Sequence, residues 1–331
     1  MRSWPLRTSS NEARTKFVTR ERLIIDCDPG HDDFAAIALA ATSGAFDIEA
    51  ITTVCGNAPL VHTAANGVAI AAALGLATPV YAGAEAPLLH RYNFPTAFHG
   101  ETGLDSNGAN LPASERALSP GHAALEILKR INAAPGEITI AVVGPMTNLA
   151  LALALDPSMA GRVKQLVFMG GGIGGGNVTP RAEFNIWADA EAASIVLRSG
   201  IKATMFGLDV TNRAWLAPED LAELHAAVPA PNPVADIIQF YADRSGDGQG
   251  PALHDTCPIA WLLDPTLFRI EALAVDVDTS PGLSYGATFA DTRGWAPKDG
   301  PRIGVALEVD RPRLARRVTD ALVATALRLS A

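Results

Sequence analysis

Leu23-Ile24-Ile25-Asp26-Cys27-Asp28-Pro29-Gly30-His31-Asp32-Asp33-Phe34 reads as a buried strand, a tight turn and the start of a helix. The apolar run ends in Asp26 and Asp28, and Pro29-Gly30 breaks it. Asp32 and Asp33 then open an alanine-rich helical run from Phe34 to Ala41. Four carboxylates thus crowd into eight residues beside apolar sequence. Unpaired carboxylates at a strand end repel one another and resist desolvation. A bound cation relieves both costs, and an oxygen-only ligand set selects a hard ion, calcium or magnesium, over zinc. A helix N-terminus also favours acidic residues. That accounts for Asp32 and Asp33 but leaves Asp26 and Asp28 unexplained.

Outward from this stretch, β-type runs alternate with alanine-rich helical runs. Strands are predicted at Leu23–Asp28, Ile48–Val54, Val80–Ala82, Ile138–Val143, Gln165–Met169, Lys202–Leu208, Leu273–Val277 and Ile303–Val309. Helices are predicted at Asp32–Ala41, Pro59–Leu74, Gly121–Ile131, Asn148–Leu155, Ala188–Leu197, Pro218–Ala227, Val234–Ala242, Thr256–Leu263 and Arg313–Leu327. Such alternation predicts an open, mostly parallel α/β sheet flanked by helices. No internal repeat or linker-like stretch divides the chain, so one domain is expected. Two irregular stretches, Gly83–Pro120 and Val228–Leu253, are long enough to carry function.

The unusual residues follow the predicted strands: Asp28 the first, Gly56-Asn57 the second, Gly144 to Asn148 the fourth, Gly170-Gly171-Gly172 the fifth and Asp209 the sixth. Ligands of open α/β sheets bind outside the carboxyl ends of the strands, so these residues converge on one rim.

Composition sets the outer bounds. The chain has 331 residues, 48% of them hydrophobic, enough for a sizeable core. A formal charge of −9 argues against nucleic acid or an anionic membrane surface as partner. No apolar run is long enough to span a bilayer. Cys27, Cys55 and Cys257 are scattered and odd in number, which points to a reducing, cytoplasmic setting without disulfides. Residues 1–21 are polar and basic without an apolar signal core, and read as a disordered or additional extension to a domain over 22–331.

Several segments have both a functional and a bland reading. The glycine run Gly170 to Gly176 lacks the Lys-Ser/Thr of a phosphate loop and suits close approach of backbone to a small ligand. Glu183 and Asn185 would share a face in extended chain, or form a solvated edge before the next helix. Asp255 reads equally as a helix cap, and His254 as a surface histidine. His99-Gly100-Glu101, in the first long loop, says little alone. No zinc spacing and no serine-hydrolase elbow occurs.

Together these motifs resemble the nucleoside hydrolase family, the inosine–uridine-preferring N-ribohydrolases. Its signature, Asp-x-Asp-Pro-Gly-x-Asp-Asp, is matched in full by Asp26 through Asp33. Val54-Cys55-Gly56-Asn57, Val143 through Asn148, Met169-Gly170-Gly171, Asn177, Ala182-Glu183-Phe184-Asn185 and His254-Asp255 follow in the family's order. The resemblance runs from about Arg22 to the C-terminus.

It implies a deep site with one calcium ion held by Asp28, Asp33, Asp255 and the backbone carbonyl of Val143. Asp32, Asn57, Glu183, Asn185 and Asp255 would hold the ribose. Met169, Asn177 and Phe184 would line the sugar pocket, and Asp26 would orient its neighbours from behind. Asp28 is then the base that takes a proton from water, and His254 the donor to the departing base. The implied reaction is hydrolysis of ribonucleosides by direct water attack, ribose preferred over 2′-deoxyribose, in a homodimer or homotetramer. Contacts to the base are expected around Tyr241 to Arg244, where the family varies, so base preference stays open. Two other functions compete. A magnesium-dependent Asp-x-Asp phosphotransferase would want an apolar residue and Thr where Pro29-Gly30 stand. A non-catalytic nucleoside binder would not need Asp28 and His254 together.

Overall fold

The computed structural model describes residues 20–91, 94–245, 250–293 and 302–331. Residues 1–19 of the expected extension, and 246–249 of the second long stretch, lie outside the described residues. Nine strands form one sheet: β1 (Glu21–Cys27), β2 (Phe46–Thr53), β3 (Val80–Ala82), β4 (Ile138–Val142), β5 (Gln165–Met169), β6 (Ala203–Phe206), β7 (Phe268–Val277), β8 (Thr288–Ala290) and β9 (Arg302–Val309). Their order is β3-β2-β1-β4-β5-β6-β9-β7-β8. The seven strands from β3 to β9 pair in parallel, and β7 and β8 close one end antiparallel.

Side-chain alternation explains the two layers. In β1, Leu23, Ile25 and Cys27 join one apolar core, while Ile24 joins the other. Successive side chains of a strand point to opposite faces, so a strand apolar at every position needs cover on both. The helices His31–Thr42, Thr256–Leu263 and Arg311–Ser330 supply residues to the first core. The helices Ala123–Ala133, Thr147–Leu155 and Ala190–Arg198 supply the second. The helix after β1 is buried on every side from His31 to Ala40, which explains its run of alanines. Among the described residues no helix is long and apolar enough to cross a membrane.

From β1 the chain builds outward through β2 and β3 on one side and β4 to β6 on the other. The order reverses between β1 and β4, where neighbouring chain ends diverge and leave a crevice. The expected strands lie where the sequence placed them, within a few residues. The differences are local. β7 starts at Phe268, five residues before the expected Leu273. The three-residue β8 was not anticipated. Phe184–Ala188 is a short helix rather than extended chain, because the Glu183 carboxylate caps it, accepting from the backbone N–H of Asn185 at 2.9 Å and of Ile186 at 3.2 Å.

Candidate active site

A cavity of about 330 Å³ opens at the carboxyl ends of the strands. Asp28, Val143, His254 and Asp255 line it, as do Asp32, Asn57, Met169, Asn177, Glu183, Phe184 and Asn185. Every residue named for the site reaches the cavity except Asp33 and Asp26, which lie behind it.

Asp28 sits where β1 ends, between two glycines. A Cβ on Gly56 or on Gly144 would collide with its carboxylate, so both strand-end glycines make room for it. Its Oδ2 accepts from the Asn57 backbone N–H at 2.7 Å, while its Oδ1 is buried with no partner. Asp33 accepts from the backbone N–H of Asp28 at 3.2 Å and of Gly30 at 2.9 Å. The helix-start reading therefore holds for Asp33. Asp32 also stands in the first turn of that helix, yet its Oδ1 is buried with no partner, and Asp255 begins its helix without a side-chain cap bond. Asp26 accepts from Thr52 Oγ1 at 2.6 Å and Asn148 Nδ2 at 2.8 Å through one oxygen, and its other oxygen is buried and unpartnered.

Carboxylate oxygens of Asp32, Asp33 and Asp255 lie within 4.8 Å of one another. Among the described residues no arginine or lysine pairs with any of the five aspartates. Burial is the main cause that raises their pKa values, to about 7 for Asp26, about 6 for Asp32 and about 8 for Asp33. Asp28 and Asp255 are pushed well above the usual carboxylate range by burial and then by neighbouring aspartates. Carboxyls gathered this closely need either protons or a cation. The unpartnered oxygens, the missing basic residue and the absence of nitrogen or sulfur donors in the cluster all fit a hard metal ion.

The opposite wall carries hydrogen-bonding groups already held in place. Glu183 accepts from the Gly171 backbone N–H at 2.8 Å, besides capping its helix. Gly171 has φ +79°, and the glycine run thus turns the chain toward Glu183; none of its six glycines lines the cavity. Asn185 Nδ2 donates to the carbonyls of Val143 at 3.2 Å and Met169 at 3.3 Å. Asn177 Oδ1 accepts from the Phe184 N–H at 2.9 Å. Asp209 does not line the cavity and instead accepts from Ile173 and Gly174 N–H groups.

Sequence reasoning undervalued the mouth. His99 lines the cavity, whereas the neighbouring Glu101 is exposed. Tyr241, from the last turn of the helix Pro233–Ala242, also lines it and stacks on His99 with ring centroids 5.5 Å apart. His31, inside the aspartate motif, lies against both, with ring centroids 5.3 Å from His99 and 5.5 Å from Tyr241. Tyr241 falls in the stretch Tyr241 to Arg244 where contacts to the base were expected, whereas little in the sequence marked His31 or His99. His254 is no surface histidine: it bonds Thr211 Oγ1 at 2.8 Å, and burial holds its pKa down to about 4. Its ring is therefore neutral near pH 7, and any hydrogen it donates comes from a neutral ring N–H.

A doubly wound sheet with a carboxylate-lined crevice at its switch point defines an α/β protein whose cavity can take a small polar ligand and whose aspartates could hold a metal ion. Comparison with known proteins identifies the family. The family model for inosine-uridine preferring nucleoside hydrolases matches residues 23–316, and the chain belongs to that family. It is 37% identical over 296 residues to the pyrimidine-specific ribonucleoside hydrolase RihB of Shigella sonnei, covering 88% of this chain and 94% of that one. Among solved structures, the plant nucleoside hydrolase PpNRh1 superposes with a TM-score of 0.84 at 31% identity, covering 92% of this chain and 99% of that one. The purine-preferring ribonucleoside hydrolase from Gardnerella vaginalis gives 0.85 at 29%, with the same coverage.

Proposed function

We propose that this nucleoside hydrolase uses calcium to cleave the N-glycosidic bond of ribonucleosides by direct attack of water, and that pyrimidine ribonucleosides are preferred. The observation that carries it is the buried aspartate cluster, without a basic partner, opening into a cavity beside the bare Oδ1 of Asp28. Asp28, Asp33, Asp255 and the Val143 carbonyl would hold the ion. Calcium, when bound, offsets the cluster's charge and acidifies a neighbouring water. Oδ1 of Asp28 takes that water's proton. Asp32, Asn57, Glu183 and Asn185 hold the ribose hydroxyls, with Met169, Asn177 and Phe184 against the sugar. As the bond breaks, positive charge grows on the ribose, and the fixed Asp32 and Glu183 carboxylates stabilise it. His254 hydrogen-bonds the departing base. Attack without a covalent intermediate inverts the anomeric carbon.

The pyrimidine preference rests on the 37% identity to RihB, against 29% to the purine-preferring enzyme. A homodimer or homotetramer in the cytoplasm belongs to the same reading. The test is incubation with uridine, cytidine, inosine and 2′-deoxyuridine, with and without a chelator, following free base and reducing sugar. Release from uridine and cytidine first, little from deoxyuridine, and loss on chelation is expected. Binding of these nucleosides without release would make the chain a binding protein. Full turnover in metal-free protein would remove calcium from the reading.

A further inference from the structure

His31 and Thr211 are fully buried, and neither lines the cavity. Each is hydrogen-bonded to an imidazole that does. We infer that His31 and Thr211 hold the two cavity imidazoles in opposite tautomers: His99 faces the ligand with a bare ring nitrogen, and His254 with a ring N–H. The tautomers follow from hydrogen bonding alone, and only their catalytic consequence rests on the ribonucleoside reading.

Asp105 anchors the first imidazole pair. Its backbone carbonyl can only accept, and it lies 2.8 Å from His31 Nε2. That nitrogen therefore carries the hydrogen, and in the neutral ring Nδ1 is a bare acceptor. The group facing Nδ1, at 3.1 Å, is Nδ1 of His99. His99 must supply the hydrogen between them, so its own Nε2 is bare. The geometry leaves little freedom. His31 lies nearly end to end with His99, ring centroids 5.3 Å apart, and packs against Phe240 and Tyr241 with centroids 5.2 and 5.5 Å away. Gly30 leaves space for the contact, since a Cβ there would lie 2.8 Å from His99 Nδ1.

At His254 the anchoring group is a hydroxyl. Among the described residues, the one hydrogen-bond partner of the buried Thr211 hydroxyl is His254 Nδ1 at 2.8 Å. A buried hydroxyl that donates to nothing is costly. Donation from Thr211 leaves Nδ1 bare and puts the ring hydrogen on Nε2. Neither Nε2 of His99 nor Nε2 of His254 has a partner among the described residues. The two imidazoles thus offer a ligand one acceptor and one donor, each set from behind by a residue that does not line the cavity. The complementary ligand is a heterocyclic base whose edge carries an N–H beside a carbonyl or bare ring nitrogen.

The test is imidazole ¹⁵N spectroscopy on the full chain labelled at histidine, near neutral pH, with resonances assigned through His99→Gln and His254→Gln. Native protein should show His99 protonated on Nδ1 and His254 on Nε2. In His31→Phe the His99 pattern should move to the commoner Nε2–H form, and in Thr211→Val the His254 pattern should become mixed. His99 carrying a hydrogen on Nε2 in the native protein, or His254 lacking one there, overturns the inference. Should His31→Phe fail to fold, the native spectrum alone decides. Kinetics adds a second readout. Thr211→Val should lose about tenfold more on uridine than on a nitrophenyl riboside, a fraction of full acid catalysis, and Thr211→Ser should restore the ratio. Equal losses on both substrates would make Thr211 structural only. If the native chain cleaves no ribonucleoside, the ribonucleoside reading fails while the spectrum still tests the tautomers.

Discussion

Asp28 is tied through one oxygen to the Asn57 N–H and left bare at the other, with glycines on either side. A carboxylate held in that way can take a proton without moving. Asp28→Asn keeps the shape but removes the basic oxygen, and kcat should fall by at least about a hundredfold, the lower end for a lost general base. The measurement is turnover at saturating calcium, and near-native kcat there would remove Asp28 as the base. His254 is tested by the leaving group. His254→Ala should slow uridine by about a hundred to ten thousandfold. A riboside with a nitrophenolate leaving group needs no hydrogen from the protein and should be nearly spared. The ratio of the two losses is the observable, and equal losses would assign His254 to the metal site or the fold.

Short elements, rather than long ones, aim the groups around the cavity. The helix Phe184–Ala188 points Asn185 at Val143 and Met169 because Glu183 caps it, and the next helix begins one residue later at Asp189. Asp189 is fully buried and joins three segments. It accepts from Thr147 Oγ1 at 2.7 Å, from the Leu88 N–H at 2.9 Å and from the Ala192 N–H at 3.1 Å. The start of the helix Thr147–Leu155, the first long stretch and the helix Ala190–Arg198 are thereby pinned together. Asp189→Ala leaves buried donors unpaired and should cost about 1–3 kcal/mol. Urea unfolding reads this as a lower midpoint with an unchanged slope. An unmoved midpoint would show that water or a neighbouring group replaces the carboxylate.

On the scale of the molecule, folding draws five aspartates into one desolvated cluster without an arginine or lysine among the described residues to balance them. The folded state should therefore be stabilised by whatever cation it holds. Calcium at a hundred times its dissociation constant would add about 2.7 kcal/mol. Calorimetry across a series from chelator to excess calcium should show Tm rising steadily. A Tm indifferent to calcium over that series would count against a resident ion. The same cluster explains why nearly the whole site converges: the sheet gathers the carboxyl ends of β1, β2, β4 and β5 on one side, each followed by a polar turn.

The strand, turn and helix from Leu23 to Phe34 were legible in the sequence because their signals are local: an apolar run, a Pro-Gly break and an alanine-rich helix. So were the doubly wound sheet and the residues at its strand ends, since strands apolar at every position demand helices on both faces. At the mouth of the cavity only the Tyr241 to Arg244 stretch and His254 were legible; the pairings among its rings were not. His31 and His99 stand 68 positions apart, and His254 and Thr211 stand 43 apart. Nothing in either sequence neighbourhood announces the partner. Elements of three to five residues, such as β8 and the helix Phe184–Ala188, are too short to show a period. Local signals therefore determined the scaffold and the four aspartates from Asp26 to Asp33, while Asp255 joined them only through the family resemblance. Only the tertiary structure decided which ring nitrogen meets which partner, because hydrogen bonds and ring stacking depend on distances that chain order does not encode.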